Sequence, residues 1–373
     1  MGSFIMNKHT PAVIIGAGIS GLRAASLLAA RGIPCRVLEA RGRIGGRVLS
    51  EQVEGRPDLG KFDLGPTWFW PQHEPIIAGL VGKLGLETFE QYNQGLILSE
   101  RTRNEPPQRL ALPGWAMESS VRLAGGVQTL VDAIAATLPE GTVELNARAT
   151  SIRQEGDGSL TVEIEGRKEG ISASAAILTL PPRIIARNIA FEPALPSDLV
   201  MSLMAKPTWM ASQAKAVAIY ERPFWREQGL CGFATSRAGP LQEIHDASPV
   251  TGAGALFGFF GISAEERYKL GEEYVLKLVE EQLTRLFGPL AKNKLALLYK
   301  DWAIDPETAV VEDAEPLREF PNYGPLSGMR NWDNKIVLAG TETAREQGGH
   351  LEGALRSADR AVFELLERFK ITR

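Results

Sequence analysis

Three glycines near the start of the chain have the spacing of a loop that binds a dinucleotide. Gly16-x-Gly18-x-x-Gly21 follows the apolar run Ala12–Ile15 and precedes Leu22–Arg31, which has the composition of a helix. In this pattern the first glycine allows a tight turn, the second lets the backbone approach a pyrophosphate, and the third lets the helix pack on the strand. The phosphates would lie at the helix N-terminus, where free N–H groups and the helix dipole favour negative charge.

A carboxylate follows at the position where such a site binds ribose. Glu39 closes a second apolar strand, Cys35–Leu38, eighteen residues after Gly21. A carboxylate there can accept hydrogen bonds from both ribose hydroxyls of an adenosine, and it disfavours a 2′-phosphate. Strand, helix and strand form a βαβ unit, which belongs to a parallel sheet with right-handed crossovers. These residues therefore predict a dinucleotide-binding domain, and a purely structural glycine turn is the alternative.

A basic, glycine-rich segment directly after Glu39 favours a flavin dinucleotide over a nicotinamide one. Arg41–Arg47 (RGRIGGR) places Gly45 beside Gly46 and ends on Arg47. Adjacent glycines let the backbone reach a second phosphate, and an arginine neutralises pyrophosphate charge. A nicotinamide enzyme has no evident need for this segment, whereas a longer, buried cofactor does. FAD is therefore predicted, with a solvated basic loop as the alternative.

Together with two later segments, these motifs resemble the flavin-containing amine oxidase family, which includes monoamine oxidases, polyamine oxidases and L-amino-acid oxidases. Phe62–Trp68 (FDLGPTW) is similar to the family's segment beside the isoalloxazine ring. Ala339–Glu342 (AGTE) and Gly349–Ala354 (GHLEGA) resemble its second flavin signature. The three blocks occur in family order between residues 12 and 365.

Motifs and resemblance together assign a set of residues to FAD. The resemblance implies that Glu342 approaches the ribityl and pyrophosphate region and that backbone near Ala149 meets adenine. It also implies that the helix beginning near Leu351 points its N-terminus at the N1–C2=O edge of the flavin, where reduction places negative charge. The predicted FAD-binding residues are Gly16, Gly18, Gly21, Glu39, Arg41, Gly45, Gly46, Arg47, Gly65, Thr67, Ala149, Gly340, Glu342 and Leu351.

The expected fold is α/β, with a Rossmann-like FAD-binding domain interleaved with an α+β substrate domain, the FAD fold shared by amine oxidases and glutathione reductase. A length of 373 residues suits two domains, and α/β patterns at both ends flank a different middle. The FAD-binding domain is predicted to comprise residues 1–75, 122–185 and 305–373. The substrate domain is predicted to comprise residues 76–121 and 186–304. The segment 76–121 is short for the family, which predicts a site that is unusually open, that admits a bulky amine, or that a partner subunit closes.

Several elements outside the glycine loop can also be predicted. Apolar residues at helical spacing predict a helix over Val127–Leu138, and the capping box Ser263–Glu266 predicts the start of one long helix that ends at Gly288. A C-terminal helix is expected to bury Leu351, Leu355, Ala358, Val362 and Leu365. Predicted strands are Val143–Leu145, Leu160–Ile164, Ala175–Leu180, Ala216–Tyr220, Ala255–Phe260 and Ile336–Ala339.

Lys215 is the candidate catalytic residue. From the sequence alone, a lysine at the start of the strand Ala216–Tyr220 is most often a surface residue whose stem packs on apolar neighbours. The pattern Lys-x-x-x-x-Tyr-x-x-Pro-Phe-Trp, however, is similar to the family's strand whose lysine holds a water at flavin N5. Lys206 competes, but Pro207 follows it directly and no strand does.

The resemblance also places four residues around the substrate. Many relatives have two aromatic residues facing the flavin, and their positions correspond to His350 and, counting from Trp302, to Glu312. A glutamate there would remove half of the aromatic cage and could pair with a cationic substrate. Trp68 and Trp302 are expected to form walls, although each is also compatible with a place in the ordinary core. Covalent relatives have a cysteine where Val311 stands, and neither Cys35 nor Cys231 lies near in sequence, so non-covalent FAD is predicted.

The predicted reaction is oxidation of a small-molecule amine by hydride transfer to flavin N5, giving an imine that hydrolyses to an aldehyde or ketone plus ammonia. O2 is the expected electron acceptor, with H2O2 as product, and no side chain is required as a general base. A desaturase or porphyrinogen-type oxidase of the same fold is one alternative, and a non-catalytic flavoprotein is another. An L-amino-acid oxidase would need an arginine for the substrate carboxylate, for which Arg183, Arg222 and Arg237 are candidates.

Composition excludes several other classes. A net charge of −4 gives no basic surplus for nucleic-acid binding. The longest apolar stretch, Ala253–Ile262, is too short to span a bilayer. No metal motif occurs, and residues 1–10 lack a targeting signal. A cytoplasmic protein without metal or membrane contacts is therefore expected, and a homodimer is compatible with the sequence.

Overall fold

The computed structural model describes residues 10–111, 118–326, 332 and 335–368. The first nine residues, where no targeting signal is predicted, lie outside this range. The helices are α1 (Ile19–Ala29), α2 (Pro75–Lys83), α3 (Gln128–Ala135), α4 (Pro182–Asn188), α5 (Ser197–Met204), α6 (Phe224–Glu227), α7 (Ala264–Leu270), α8 (Glu272–Phe287) and α9 (Leu351–Arg368). The strands are β1 (Thr10–Ile15), β2 (Cys35–Leu38), β3 (Ser50–Gln52), β4 (Lys61–Asp63), β5 (Thr88–Glu90), β6 (Leu96–Glu100), β7 (Gln108–Leu110), β8 (Val121–Leu123), β9 (Val143–Glu144), β10 (Ala149–Gln154), β11 (Leu160–Ile164), β12 (Ile171–Leu178), β13 (Ala190–Glu192), β14 (Ala214–Tyr220), β15 (Leu230–Ser236), β16 (Leu241–Asp246), β17 (Gly254–Phe260), β18 (Ala296–Asp301) and β19 (Ile336–Leu338).

The first sheet contains the predicted βαβ unit. Its strand order is β13-β10-β11-β12-β1-β2-β9, and β19 also pairs with β12. Strand β1 pairs in parallel with β2, with Ala12 opposite Cys35, and in parallel with β12. Because the carboxyl ends of β1 and β2 lie at the same edge, the glycine loop after β1 and Glu39 after β2 are neighbours. The parallel βαβ unit is confirmed.

Alternating side chains of this sheet face two separate cores. Ala12 and Ile14 pack with α1, α3 and α9 on one side, whereas Val13 and Ile15 pack with β10, β11, α4 and α5 on the other. A strand that buries both faces in this way is typical of a parallel sheet covered by helices. The predicted inner face of α9 is confirmed, since Leu351, Leu355, Ala358, Val362 and Leu365 are all buried in the first core.

Two segments pack with the first sheet although the sequence predicts them in the substrate domain. Helix α2 packs on α9, and the buried Glu352 carboxylate accepts hydrogen bonds from the N–H groups of Ile76 and Ile77 at 3.2 and 2.8 Å. Strand β13 pairs with β10, and α5 buries Leu199 and Leu203 in the second core of the same sheet. These contacts associate α2, β13 and α5 with the first sheet rather than with the second.

The second sheet has the order β18-β14-β17-β16-β15-β6-β7. It is antiparallel except for the β15–β6 pair. Helix α8 covers one face with Val275, Val279, Leu283 and Leu286. The opposite face carries Val217 and Phe257 and packs on Phe62 and Leu64 of the first domain. The second sheet therefore packs on β4 and on the residues that flank it.

The prediction of one long helix from Ser263 to Gly288 is wrong. The capping box is present, with Glu266 N donating to Ser263 Oγ at 3.2 Å, but it opens the short helix α7. Gly271, at φ +79°, ends α7 and starts α8, a backbone conformation that glycine adopts without steric cost. Gly288 ends α8 as predicted, at φ +87°. Among the described helices, none combines the length and the apolar character that crossing a bilayer requires.

Candidate functional site

A cavity of about 370 Å³ extends from the glycine loop of the first sheet to β14 and β17 of the second. It is lined at one end by the residues that follow β1 and β2, and at the other by tryptophans and Lys215. Sixteen of the residues predicted from the sequence line it, namely Gly16, Gly18, Glu39, Arg41, Gly45, Gly46, Arg47, Gly65, Thr67, Trp68, Ala149, Lys215, Trp302, Gly340, His350 and Leu351. Gly21, Glu342 and Glu312 are not part of this lining.

The glycine loop leaves the N-terminus of α1 open to the cavity. Gly16 has φ +104°, and a Cβ there would lie 2.7 Å from Thr179 Oγ1. A Cβ at Gly21 would overlap the carbonyl oxygen of Gly16, so Gly21 allows the close contact of helix and turn. Gly18 is the N-cap of α1, no side chain caps the helix, and its first turn has no acidic residue. An anion placed there would meet uncompensated N–H groups.

Glu39 is held by the two loops that border it. Its Oε2 accepts a hydrogen bond from Ala17 N at 2.8 Å, and its Oε1 accepts one from Arg41 N at 2.9 Å. The residue is buried at the carboxyl end of β2 and still lines the cavity. A carboxylate oxygen has more than one lone pair, so both oxygens can accept further hydrogen bonds from a ligand.

Arg47 and Glu342 form a bidentate ion pair instead of facing the cavity separately. The guanidinium donates to Oε1 and Oε2 of Glu342 at 2.7 and 3.1 Å, and the carboxylate has no exposed surface. The sequence resemblance placed Glu342 against the cofactor, whereas here it fixes the cavity-lining Arg47. Glu342 thus affects the cavity indirectly, because it fixes the guanidinium of Arg47.

A second arginine at the glycine-loop end is fixed from a distant segment. Arg41 pairs with Asp305 and donates to Thr308 Oγ1 at 3.0 Å. Asp305 also accepts a hydrogen bond from Lys300 Nζ at 2.8 Å. Asp305 and Thr308 were not predicted, because nothing in the composition of the loop after Trp302 marks them as partners of Arg41.

The two flavin-like signatures meet through a pair of serines. Gly340 N donates to Ser20 Oγ at 3.2 Å and to Ser357 Oγ at 3.0 Å. Ser20 is in the first turn of α1 and Ser357 is in α9, so one buried hydrogen-bond group joins the glycine loop to the C-terminal signature. This contact brings the N-terminus of α9, with Leu351, to the same cavity as the N-terminus of α1.

Lys215 lies in β14 with its ammonium group inside the protein. Nζ donates to Thr67 Oγ1 at 2.5 Å and to Gly65 O at 3.0 Å, and lies 3.8 Å from the centroid of the Phe257 ring. Burial lowers the pKa of Lys215 to about 7, although the nearby Asp63 carboxylate raises it. A lysine with this pKa changes protonation state near neutral pH, which distinguishes it from a surface residue.

Aromatic rings connect Lys215 with His350 along the wall of the cavity. Trp68 contacts Phe257 at 5.4 Å between ring centroids and Trp70 at 6.4 Å. Trp70 in turn lies 6.1 Å from the imidazole of His350. Trp302 is fixed on the cavity wall by a hydrogen bond from its Nε1 to Leu64 O at 3.0 Å. Four residues predicted at the substrate end therefore surround one apolar part of the cavity: Trp68, Trp302, Lys215 and His350.

Several residues at this end were missed by the sequence analysis. Trp70, Glu74, Trp209 and Phe259 also line the cavity. Glu74 precedes α2, and its buried carboxylate lies 3.2 Å from His350 Nδ1. Trp209 packs on Phe320, and Phe320 contacts the ring of His350 at 6.1 Å between centroids. The tryptophan-containing segments 67–71 (TWFWP) and 207–209 (PTW) are the sequence signal that could have indicated Trp70 and Trp209. Glu74 and Phe259 have no such signal.

The structure places Glu312 away from the expected substrate position. Its carboxylate forms an ion pair with Arg187 of α4, and the residue lies in the short helical turn Val311–Asp313 outside the cavity lining. Between Trp302 and Glu312 the chain stays on the cavity wall as far as Glu307 and Thr308, which contact Arg148 and Arg41. The turn Val311–Asp313 then carries Glu312 out of the lining, so counting from Trp302 gave the wrong position. The aromatic ring that the structure places beside His350 in this part of the chain is that of Phe320, at 6.1 Å between centroids.

The lining fits FAD at each part of the cavity. The uncapped N-terminus of α1 and the glycine turn accommodate a pyrophosphate, the buried Glu39 carboxylate has acceptor capacity for ribose hydroxyls, and the N-terminus of α9 faces the apolar end. Neither Cys35, half-buried in β2, nor Cys231, buried in β15, lines the cavity. The cavity is thus lined on one side by a dinucleotide-binding fold and on the other by a second sheet, the arrangement that an FAD-dependent oxidoreductase with separate cofactor and substrate lobes requires.

Comparison with known proteins gives the family. The sequence profile of the flavin containing amine oxidoreductases matches residues 19–113 and 99–366, and the chain belongs to that family. It is an FAD-dependent amine oxidase. Two relatives match over nearly the whole chain. Putrescine oxidase of Kocuria rosea is 26% identical over 467 positions, covering 96% of this chain and 96% of that protein. Amine oxidase [flavin-containing] B of Sus scrofa is 25% identical, covering 97% of this chain and 87% of that protein.

Solved structures of relatives share the fold. A triple mutant of putrescine oxidase superimposes with a TM-score of 0.80 at 22% identity, covering 96% of this chain and 99% of that one. Cyclohexylamine oxidase from Brevibacterium oxydans gives 0.79 at 22% identity, covering 97% and 99%. The two-lobed α/β fold predicted from the sequence is confirmed.

The comparisons also bear on the length of the substrate lobe. The alignment with putrescine oxidase runs over 467 positions, more than the 373 residues of this chain, so internal segments of that relative have no counterpart here. The two profile matches meet at residues 99–113. This overlap falls inside the segment 76–121, and the prediction that this segment is short stays a prediction.

Proposed function

We propose that this chain oxidises a small amine by transfer of a hydride from the amine Cα to bound FAD, giving an imine that hydrolyses to an aldehyde or ketone plus ammonia. Bound FAD would supply the acceptor for the two electrons, and O2 would then take them to form H2O2. The observation that carries the proposal is the position of Lys215, a buried amine of lowered pKa that lines the same cavity as the glycine loop and the tryptophans.

Each group of lining residues has a task in this scheme. Gly16, Gly18, Gly45 and Gly46 would let the backbone and the N-terminus of α1 hold the pyrophosphate, and Glu39 would bind the adenosine ribose. Arg47, fixed by Glu342, would balance phosphate charge. The N-terminus of α9 would stabilise negative charge at the redox end of the cofactor.

At the substrate end, shape and proton control are the expected contributions of the protein. The rings of Trp68, Trp70 and Trp209 would exclude water and hold the amine carbon near its acceptor, since hydride transfer requires a close, aligned approach. Lys215, with Thr67 and Gly65 as partners, would hold a water at the redox centre. The FAD would be non-covalent because neither cysteine lines the cavity.

An amino-acid substrate is disfavoured by the positions of the arginines. Arg183 pairs with Asp313, Arg222 pairs with Glu227, and Arg237 lies outside the cavity lining. The arginines that line the cavity are Arg41, Arg47 and Arg148, all with partners at the cofactor end. Arg122 lies near Lys215, but it is buried outside the cavity lining and donates to the carbonyl oxygens of Ser248 and Ala247. Among the described residues, no arginine lines the Lys215 end of the cavity, which favours an amine without a carboxylate.

The direct test is anaerobic reduction of the flavin. The purified protein should be yellow, and mixing it without oxygen with primary amines, diamines, polyamines, cyclic amines and amino acids should bleach the flavin absorbance with at least one amine. Readmission of O2 should restore the colour and produce one H2O2 per amine consumed. Bleaching by an L-amino acid alone, or by none of the compounds, would contradict the proposal. Denaturation should release free FAD, and flavin that stays on the chain would contradict non-covalent binding.

A further inference from the structure

A buried carboxylate at the substrate end of the cavity is not explained by cofactor binding. Glu74 precedes α2 and is 2% exposed. Its Oε2 accepts a hydrogen bond from Trp70 N at 2.7 Å, and its Oε1 lies 3.2 Å from His350 Nδ1. Burial of a carboxylate is unfavourable unless a cation or hydrogen-bond donors compensate it. In the described part of the chain, His350 is the one basic side chain within ion-pair distance of Glu74.

The other carboxylates that line the cavity have different partners. Glu39 is bound at the glycine-loop end, and Glu307 pairs with Arg148 beside Ala149. Among the described residues, Glu74 is therefore the one cavity-lining carboxylate at the end where the tryptophans and Lys215 converge, whereas Asp63 lies near Lys215 but outside the lining. Glu74 and His350 both line this end, so a cationic group that enters it meets the carboxylate of Glu74 and the imidazole of His350 together.

The imidazole is oriented with one nitrogen toward Glu74 and the ring on the cavity wall. Nδ1 makes the contact with Glu74, the ring contacts both Trp70 and Phe320 at 6.1 Å between centroids, and the side chain is 35% exposed. Among the described residues, Nε2 has no hydrogen-bond partner. A histidine whose Nδ1–H donates to a carboxylate has Nε2 available as a proton acceptor, and the carboxylate stabilises the imidazolium that forms.

We infer that Glu74 and His350 form an acid–base pair that removes a proton from the substrate ammonium before oxidation. The inference rests on the proposed amine oxidation and departs from the expectation that no side chain acts as a base. It assigns His350 as a catalytic residue and Glu74 as the residue that positions it. The substrate class that fits is an amine that arrives as an ammonium ion and carries no carboxylate.

The proton balance of the step is simple. Nε2 of His350 takes a proton from the ammonium nitrogen, the N–H bond breaks, and its electron pair stays on nitrogen as the lone pair of the neutral amine. The Nδ1 proton stays shared with Glu74, so the pair changes from one negative charge to a neutral imidazolium–carboxylate couple. The neutral amine then loses hydride from Cα, and the lone pair becomes part of the C=N bond.

The need for such a pair follows from ordinary amine chemistry. An alkylamine titrates near pH 10.4, so only about one molecule in a thousand is neutral in solution near pH 7.4. Hydride loss from Cα needs the nitrogen lone pair, which the ammonium ion lacks. A base in the cavity lets the enzyme use the abundant ammonium form, an advantage of up to about 10³-fold over an enzyme that waits for neutral amine.

Other charged groups around His350 are already engaged. Glu352 of α9 caps α2 and pairs with Arg356. Tyr323, which packs on Phe320, donates from its hydroxyl to Pro207 O and accepts a hydrogen bond from Trp209 N. His73, one residue before Glu74, pairs with the exposed Glu118. Lys215 lies beyond the Trp68–Trp70 contact and is bound to Thr67.

The test compares the pH dependence of flavin reduction in wild type, His350→Gln and Glu74→Gln. At low amine concentration, reduction of wild-type flavin should be nearly constant over the neutral range. In H350Q it should fall about 100- to 1000-fold at pH 7, rise about tenfold per pH unit, and approach wild type near pH 10. E74Q, which keeps a hydrogen-bond acceptor but loses the charge, should lie between them. His73→Gln is the matched control and should follow the wild-type profile.

A second readout does not depend on turnover. The chain has only four histidines, so the ¹⁵N signals of His350 can be assigned by their loss in H350Q. In the wild-type holoenzyme the neutral imidazole should carry its proton on Nδ1. A proton on Nε2, or an H350Q profile that is parallel to wild type at all pH values, would overturn the inference. Wild-type protein that no amine reduces would instead refute the proposed function, and the NMR result would still decide whether the pair exists.

Discussion

Arg47 and Glu342, which lie 295 positions apart in the sequence, form a bidentate ion pair with N–O distances of 2.7 and 3.1 Å. The pair joins the glycine-rich segment after β2 to the C-terminal signature, and its two members have different environments. The Glu342 carboxylate has no exposed surface, whereas 30% of the Arg47 side chain is exposed on the cavity wall. Loss of either partner therefore leaves a different kind of unpaired charge.

Arg47→Met should destabilise the protein more than Glu342→Gln. Removing the arginine leaves a carboxylate buried without a cation, which costs about 3–5 kcal/mol. Glu342→Gln leaves a partly solvated guanidinium that can still donate to the amide oxygen, so a loss of about 1–2 kcal/mol is expected. Urea unfolding of both variants and of the double variant, with FAD in excess, measures this. A loss of unfolding free energy in Glu342→Gln that equals or exceeds the loss in Arg47→Met would show that the buried Glu342 charge does not determine stability here.

The glycine loop and Glu39 could be predicted because local sequence determines them. A turn with φ +104° at Gly16 and a helix that contacts it at Gly21 require glycine wherever the chain folds this way. The strands Cys35–Leu38 and Leu160–Ile164 have their predicted bounds for a similar reason, since turn residues border a short apolar run on each side.

The substrate end could not be predicted to the same depth. Glu74 and His350 are 276 positions apart in the sequence, and the packing of α2 on α9 brings them together. No local sequence pattern indicates that packing. Glu312 was misplaced because the length and path of the connection after Trp302 depend on its contacts with Arg41 and Arg148. The split between α7 and α8 was missed because Gly271 within an apolar repeat is compatible with either a continuous or a broken helix.

Glu39→Gln should weaken FAD binding about 10- to 100-fold. The carboxylate already accepts hydrogen bonds from Ala17 N and Arg41 N, and hydrogen bonds to a charged acceptor contribute about 1.5–3 kcal/mol. Glu39→Ala should weaken it further because both backbone N–H groups then lose their acceptor. Titration of the apoprotein with FAD, followed by quenching of flavin fluorescence, measures the affinity.

The comparison of cofactor fragments makes the Glu39 test specific. ADP contains the ribose that Glu39 is expected to bind, and FMN does not. Affinity for ADP should fall in the variants by the same factor as affinity for FAD, while affinity for FMN stays unchanged. An equal fall for both fragments would indicate a general disturbance of the first sheet, and no fall for ADP would remove Glu39 from the ribose site.

Lys215→Met should slow flavin reduction, flavin reoxidation or both by about 100-fold, while FAD stays bound. Methionine keeps the length and much of the apolar volume of the stem but loses the N–H donors to Thr67 and Gly65. Anaerobic stopped-flow measurements with the best amine, and mixing of reduced enzyme with O2, separate the two half-reactions. Rates like those of wild type in both half-reactions would exclude Lys215 from the chemistry, provided that the flavin content of the variant is unchanged.

The same substitution should change how stability depends on pH. Burial lowers the pKa of Lys215 from 10.5 to about 7, so between these values the unfolded chain binds a proton at this site and the folded protein does not. Unfolding free energy therefore rises with pH across this window, and it is lowest below pH 7, where a charged lysine must be buried. The slope from one such group is about 1.4 kcal/mol per pH unit.

The difference in unfolding free energy between wild type and Lys215→Met should then grow in favour of wild type by roughly 2–3 kcal/mol from pH 8 to pH 10. Urea unfolding at pH 8, 9 and 10 measures it, with Lys168→Met as the matched control because Lys168 is exposed. A constant difference for Lys215→Met would mean that its amine stays protonated inside the protein, and a growing difference for Lys168→Met would mean that the trend does not come from burial.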